Sequence, residues 1–172
     1  ILGLLGELLF MDERMIPEWG ASIALNSWTG PEKTHKDFST ENVWYEIKTI
    51  SSGKNSVKIS SLEQLDSEIE GFLIVYDLEK MSPSFNGLKL NTLVQKLLHQ
   101  MSSSNREEFI NKLSLYNYDF SPNYDNFVYS VVGCSTYEVK DDFPRLSRKS
   151  IPTGIDKVQY EINLSDIEEY KL

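Results

Sequence analysis

HKDFSTENVWYEIKTI, residues 35–50, reads as a strand, a tight turn and a second strand. Side chains of a strand alternate between faces, so Glu46 and Lys48 point one way and Ile47 the other. With Glu41-Asn42 as a two-residue hairpin loop, Thr40 pairs with Val43 and Asp37 falls opposite Glu46. Directly opposed residues bring their Cβ atoms to roughly 4.5–5.5 Å. Two carboxylates that close repel each other unless a positive charge lies between them. A hard divalent cation such as Mg²⁺, which takes a few carboxylate oxygens plus water, suits that position. Lys48 stands one pleat further along the same face, so the pattern predicts a site for phosphodiester cleavage. An odd-numbered loop would shift the register by one residue and turn Asp37 to the wrong side of the sheet. A solvated strand face can carry the same charges, and a D-x8-E-x-K match arises by chance in many chains.

Outward from the hairpin, the spacing predicts a mixed α/β chain. Leu2 to Met15 is expected to be helical, with Leu4, Leu5, Leu8, Leu9 and Met15 buried and Glu7 set among them. Pro17 suits the first turn of a second helix, with Trp19, Ile23 and Trp28 sharing an apolar face, closed by Gly30-Pro31. A third strand is expected at Val57 to Ser60. Ser60-x-x-Glu63 and Ser61-x-x-Gln64 read as capping boxes that open a helix. The apolar run Gly71 to Asp77 marks a strand buried on both faces. Leu90, Leu93, Val94, Leu97, Leu98 and Met101 repeat at helical spacing, and Ser104-x-x-Glu107 caps a further helix burying Phe109, Ile110 and Leu113. Strands return at Phe127 to Val132, Thr136 to Lys140 and Lys157 to Asn163.

Composition sets limits. One domain over residues 1–172 is expected at this length, with an ordinary core. The longest apolar runs are too short to span a bilayer, and no charged n-region or cleavage site precedes the opening ILGLLGELLF. The chain opens on Ile in mid-helix, which suggests residues upstream of Ile1. The single cysteine, Cys134, reads as a small buried hydrophobe and points to a reducing, cytoplasmic setting. A net charge of −9 counts against a simple nucleic-acid binder. The charge is uneven, however. Lys33, His35, Lys36, Lys48, Lys54 and Lys58 gather around the hairpin, and Arg145, Arg148, Lys149 and Lys157 form a second basic group, while acids concentrate at 63–79 and 161–169.

Gly3-Leu4-Leu5-Gly6-Glu7-Leu8-Leu9, Trp28-Thr29-Gly30-Pro31, Lys36-Asp37-Phe38, Glu46-Ile47-Lys48-Thr49, Ser61-Leu62-Glu63-Gln64-Leu65, Asp142-Phe143-Pro144-Arg145-Leu146 and Ile151-Pro152-Thr153-Gly154-Ile155 follow one another in that order. This set resembles a family of uncharacterised bacterial PD-(D/E)XK motif proteins of the restriction-endonuclease-like superfamily. Lys36 departs from the pattern, which has Pro before the Asp. The resemblance implies a three-layer α/β core, a central mixed sheet flanked by helices. It implies a Mg²⁺-dependent DNA endonuclease, with Mn²⁺ as a substitute, in a bacterial restriction or phage-defence system. Asp37, Glu46 and the Ile47 carbonyl would hold the metal, Lys48 would act on the attacking water, and Glu7 would be an auxiliary ligand from the first helix. ATPase or methyltransferase partners are implied, and cutting both strands would favour a homodimer.

The remaining candidates carry alternative readings. Gln64 lines the site or caps its own turn. His35 contacts DNA, acts in proton transfer or is an ordinary surface residue; Arg145 pairs with a carboxylate, contacts phosphate or anchors its loop; and His99 is read as structural. The competing reading for the whole chain is a catalytically silent nuclease-fold module that binds DNA or a partner protein, which the acidic charge suits. Two facing carboxylates argue against it, because such a module has no physical need of them.

Overall fold

The protein is described from a computed structural model covering residues 1–32 and 35–172; Lys33 of the basic group lies outside the described residues. The chain opens with α1 (Leu2–Phe10), which passes without a break through a π-helical turn, Met11–Met15, into α2 (Ile16–Trp19). Pro17 therefore does not start a new helix as expected. A π turn is wider than an α turn, and it lies where the proline ring would otherwise press on the preceding turn. The break comes at Gly20, whose φ of 81° is open to glycine, and α3 (Ala21–Ser27) follows. Trp28 is fully buried, but Trp19 and Ile23 are exposed, so the expected common apolar face does not form.

The hairpin has the expected register. Strand β1 (Phe38–Ser39) runs antiparallel to β2 (Val43–Ser51), with Phe38 opposite Tyr45 and Ser39 opposite Trp44. Thr40 donates its N–H to the Val43 carbonyl, closing a loop of Glu41 and Asn42. The next strand, β3 (Ser56–Ile59), leaves this sheet and pairs with β6 (Tyr160–Asn163) in a separate antiparallel ribbon. In its place β4 (Glu70–Met81) lies parallel to β2, and β5 (Val128–Glu138) lies antiparallel to β4, giving the order β1-β2-β4-β5. The two strands expected over 127–140 are thus one, with a bulge opposite Asp77 and Leu78 that absorbs the extra residue near Gly133. The helix expected after Ser60 is a single 3-10 turn, Leu62–Gln64. With β4 starting at Glu70, the linker has no length for more.

Helices α4 (Leu90–His99) and α5 (Ser103–Leu115) match the two helical repeats, except that Ser102 rather than Ser104 caps α5, through the Asn105 N–H. Phe109 and Leu113 of α5 are buried, but Ile110 is exposed, since a neighbouring residue points about 100° away around a helix. All the helices pack on one face of the sheet, where Leu5, Leu8, Phe10, Trp28, Phe38, Ile47, Ile74 and Tyr76 share a core. The opposite face carries Trp44, Ile50, Leu73, Val75 and Tyr137. It is covered by Val57 and Ile59 of β3, Ile162 of β6 and Ile167 and Tyr170 of a 3-10 segment, Leu164–Tyr170. The core is a three-layer α/β arrangement with a mixed sheet, but its third layer is ribbon and turns rather than helices. Cys134, on the edge strand β5, is exposed rather than buried.

Trp44 locks β2 to β4 by lying across Gly71, and a Cβ added there would stand 1.8 Å from Trp44 Cε2. The Gly71→Ala variant is therefore expected to lose about 1–3 kcal/mol by overpacking. A urea titration followed by tryptophan fluorescence reads the loss as a lowered midpoint.

Candidate active site

Three elements carry carboxylates to one end of the sheet. Asp37 precedes β1, just beyond the pair of Phe38 with Tyr45, and Glu46 and Lys48 lie on β2 after Tyr45. The Asp37 carboxylate accepts the Ile47 N–H at 2.7 Å, and its backbone carbonyl accepts the N–H groups of Thr29 and Gly30. Ile47 itself packs among the helices, as the alternation requires. Glu7 arrives from α1, which comes close to β2 because Gly6 has no side chain: a Cβ there would stand 2.3 Å from Thr49 Oγ1. Gly30 makes room in the same way. A Cβ on Gly30 would lie 2.7 Å from Glu7 Oε2, 2.8 Å from the Tyr116 hydroxyl and 3.2 Å from Asp37 Oδ1, so all three groups crowd one point.

The three acids differ in how they are held. Glu7 is buried and held by two donors. Trp28 Nε1 donates to Oε2 at 2.7 Å, and the Tyr116 hydroxyl lies 2.7 and 2.6 Å from Oε1 and Oε2. Glu46 is 1% exposed and pairs with the Lys48 ammonium at 2.9 Å, yet no well-directed hydrogen bond reaches either of its oxygens among the described residues. Burial, reinforced by the charge of Asp37, pushes the Glu46 carboxyl up to about 8 against the pull of Lys48. Burial raises Glu7 too, followed by Asp37, with the bonds from Tyr116 and Trp28 opposing. Asp37 is raised by burial and held down in part by the Ile47 N–H and by Lys48.

The other candidates lie around this centre. Lys36 caps the 3-10 turn: its ammonium donates to the carbonyls of Glu63, Gln64 and Asp66 at 2.6, 2.8 and 3.1 Å and sits 3.7 Å over the Trp44 ring. Gln64 turns its side-chain oxygen back to the Ser60 N–H at 2.6 Å. Arg145 donates to the Leu65 carbonyl, so it anchors its loop to the same turn. His35 is exposed, and His99 bonds the Gln95 carbonyl within its own helix. Much of the second basic group is matched by acids from 63–68, Arg148 with Glu63 and Lys149 with Glu68. The roles of Trp28, Gly30 and Tyr116 around Glu7 were not foreseen. Trp28 and Gly30 lie in one of the family-like blocks, but nothing near Tyr116 in the sequence signals its contact.

The profile of the family described as "Putative PD-(D/E)XK family member, (DUF4420)" matches residues 1–165. The chain belongs to this family. No curated protein and no solved structure matched it. PD-(D/E)XK proteins are in general nucleases and other hydrolases, and the nucleases typically use divalent metals. The matched residues include Asp37, preceded by Lys36, and Glu46 and Lys48. No group of three or more His, Cys, Asp or Glu side chains is arranged to hold a metal among the described residues. Among them, too, no helix is long and apolar enough to cross a membrane.

The raised Glu46 carboxyl links folding to pH. Its folded value of about 8 lies above the ordinary value of 4.5, so the folded chain keeps a proton that the unfolded chain has released between those values. That contribution to stability is full below about pH 4.5 and is lost as the pH rises through about 8. In chelator, the urea midpoint of the wild type is expected to fall between about pH 5.5 and about pH 8.5, and more steeply than that of Glu46→Gln, which has no proton to lose. Parallel slopes for the two proteins would contradict this.

Proposed function

We propose that the protein is a divalent-cation-dependent endonuclease acting on DNA, with Mg²⁺ or Mn²⁺ as its metal. The observation that carries this reading is the Glu46 carboxylate: fully buried, beside Asp37, with Lys48 as its ion-pair partner and no well-directed hydrogen bond to either oxygen. A carboxylate buried for structural reasons is normally hydrogen-bonded, and one that is not calls for an ion or water. The donors present fit a hard cation, which prefers oxygen and tolerates retained waters. Asp37 and Glu46 would hold it with the Ile47 carbonyl, which lies on the same edge of β2 as the N–H that binds Asp37. A bound cation would supply Lewis acidity toward the scissile phosphate.

The chain's own groups divide the remaining work. The Ile47 N–H fixes one oxygen of Asp37 and leaves the other to face the site. Lys48, largely buried and held by Glu46, presents a point charge where negative charge develops, and orients the attacking water. Glu7 brings a third carboxylate next to Asp37. By resemblance we place the protein in a bacterial restriction or phage-defence system beside ATPase or methyltransferase partners, with a second copy where both DNA strands are cut. The net charge of −9, and the lack of a three-residue metal group among the described residues, support a second reading as a silent nuclease-fold module.

Incubation of supercoiled plasmid with protein and Mg²⁺ or Mn²⁺ tests the first reading. Nicked or linear product is expected from the wild type, and Lys48→Ala and Asp37→Ala should each lower the rate by about 10²–10³-fold or more. Cleavage that survives both substitutions would remove this mechanism. Calorimetric titration separates the second reading, since a silent module would bind neither cation at millimolar concentration.

A further inference from the structure

Two donors from the helical layer hold Glu7 in one orientation. A carboxylate carries about four lone-pair directions, two on each oxygen. Oε2 takes the Trp28 indole N–H at 2.7 Å and the Tyr116 hydroxyl at 2.6 Å, so both of its directions are in use. The same hydroxyl stands 2.7 Å from Oε1, but its one hydrogen serves a single oxygen at a time, so with both donors on Oε2 the Oε1 oxygen stays open. The two donors come from separate elements, Trp28 just after α3 and Tyr116 just after α5, and their rings stack at 6.0 Å. Gly30 lets the group approach Asp37, because any side chain there would strike Glu7, Tyr116 and Asp37 together.

We propose that Tyr116 is a positioning residue of the nuclease site: its hydroxyl, with the Trp28 N–H, holds Oε2 of Glu7 and so fixes Oε1 as an acceptor for a water next to Asp37. The proposal rests on the nuclease reading above and assigns the role of Glu7 within it. Asp37 keeps one oxygen for the cation after accepting the Ile47 N–H, and Glu46 keeps both of its oxygens free of other hydrogen-bond donors. Glu7 keeps Oε1, held in one place by the two bonds to Oε2, where it can accept the hydrogen of an attacking water.

The test compares wild type, Tyr116→Phe, Glu7→Gln, the double variant and Asp37→Asn by Mn²⁺ calorimetry and by plasmid cleavage, with thermal melts to establish that each is folded. Tyr116→Phe removes one oxygen and keeps the ring stacked on Trp28. It is expected to bind Mn²⁺ within about twofold of wild type, to keep the KM for DNA, and to lose kcat by about 10–100-fold, the range typical of outer partners of a metal site. Glu7→Gln should likewise retain Mn²⁺, whereas Asp37→Asn should lose it. The double variant should be no slower than Glu7→Gln, because both changes remove one unit. An unchanged kcat in Tyr116→Phe, additive losses in the double variant, or loss of Mn²⁺ by Glu7→Gln would each overturn the proposal while leaving the nuclease reading in place. A wild type that neither binds Mn²⁺ nor cleaves overturns both. If it binds without cleaving, the comparison of Glu7→Gln with Asp37→Asn still decides the ligand assignment.

Discussion

The two-residue loop at Glu41-Asn42 fixes the register on which the site depends. Because Thr40 closes on Val43, Phe38 meets Tyr45 among the helices, and Asp37 arrives beside Ile47 and within reach of the Glu46 charge. A slip of one residue would exchange the faces of the strand, burying Asp37 in the apolar layer and turning Phe38 outward. The register is also pinned at its far end, where the Asp37 carboxylate takes the Ile47 N–H beyond the last pair of β1. A strand of two residues has little pairing energy of its own. It is held by the burial of Phe38 and by the Asp37 carbonyl, which takes the N–H groups of Thr29 and Gly30.

Crowding Glu7, Asp37 and Glu46 into a buried corner is costly even with Lys36 and Lys48 nearby. Each acid is pushed toward its neutral form, first by burial and then, for Glu7 and Glu46, by the charge of Asp37. The surrounding structure bears that cost through packing that brings the groups together. Gly6 lets α1 settle against β2, Gly30 leaves a gap where three side chains converge, and Trp28 and Tyr116 clamp the carboxylate from the helical layer. Polar groups held against their preference inside a well-packed frame are a common mark of functional sites.

The third layer explains the uneven charge. Arg145 and Lys36 both donate to carbonyls of the 62–66 turn, and Arg148 and Lys149 pair with Glu63 and Glu68. Basic and acidic stretches that lie far apart in the chain therefore meet, and much of the second basic group is spent in fastening the loop 143–150 to the sheet. The net acidity does not describe the immediate surroundings of Glu46, where Lys36 and Lys48 contribute positive charge.

Local rules alone determined the hairpin and its register, because strand alternation and an even loop leave no freedom. The buried strand at Gly71–Asp77 and the helical repeats around Leu93 and Phe109 were legible for the same reason: a periodic apolar pattern has one way to face a core. Tertiary structure decided what local signals left open. Pro17 reads as a helix start, yet the helix runs through it on a π turn and stops at Gly20. The Ser60 and Ser61 boxes read as a helix start, yet β4 begins too soon for one to form. β3 reads as the next strand of a meander, yet its Val57 and Ile59 do more by covering the open face beside Trp44 and Val75. Tyr116 could not be found from sequence, since a tyrosine 109 residues from Glu7 meets it only when α5 docks against α3 and the turn at Gly30–Glu32. Contacts between distant segments follow from how layers pack, and a single chain's local pattern carries no record of that packing.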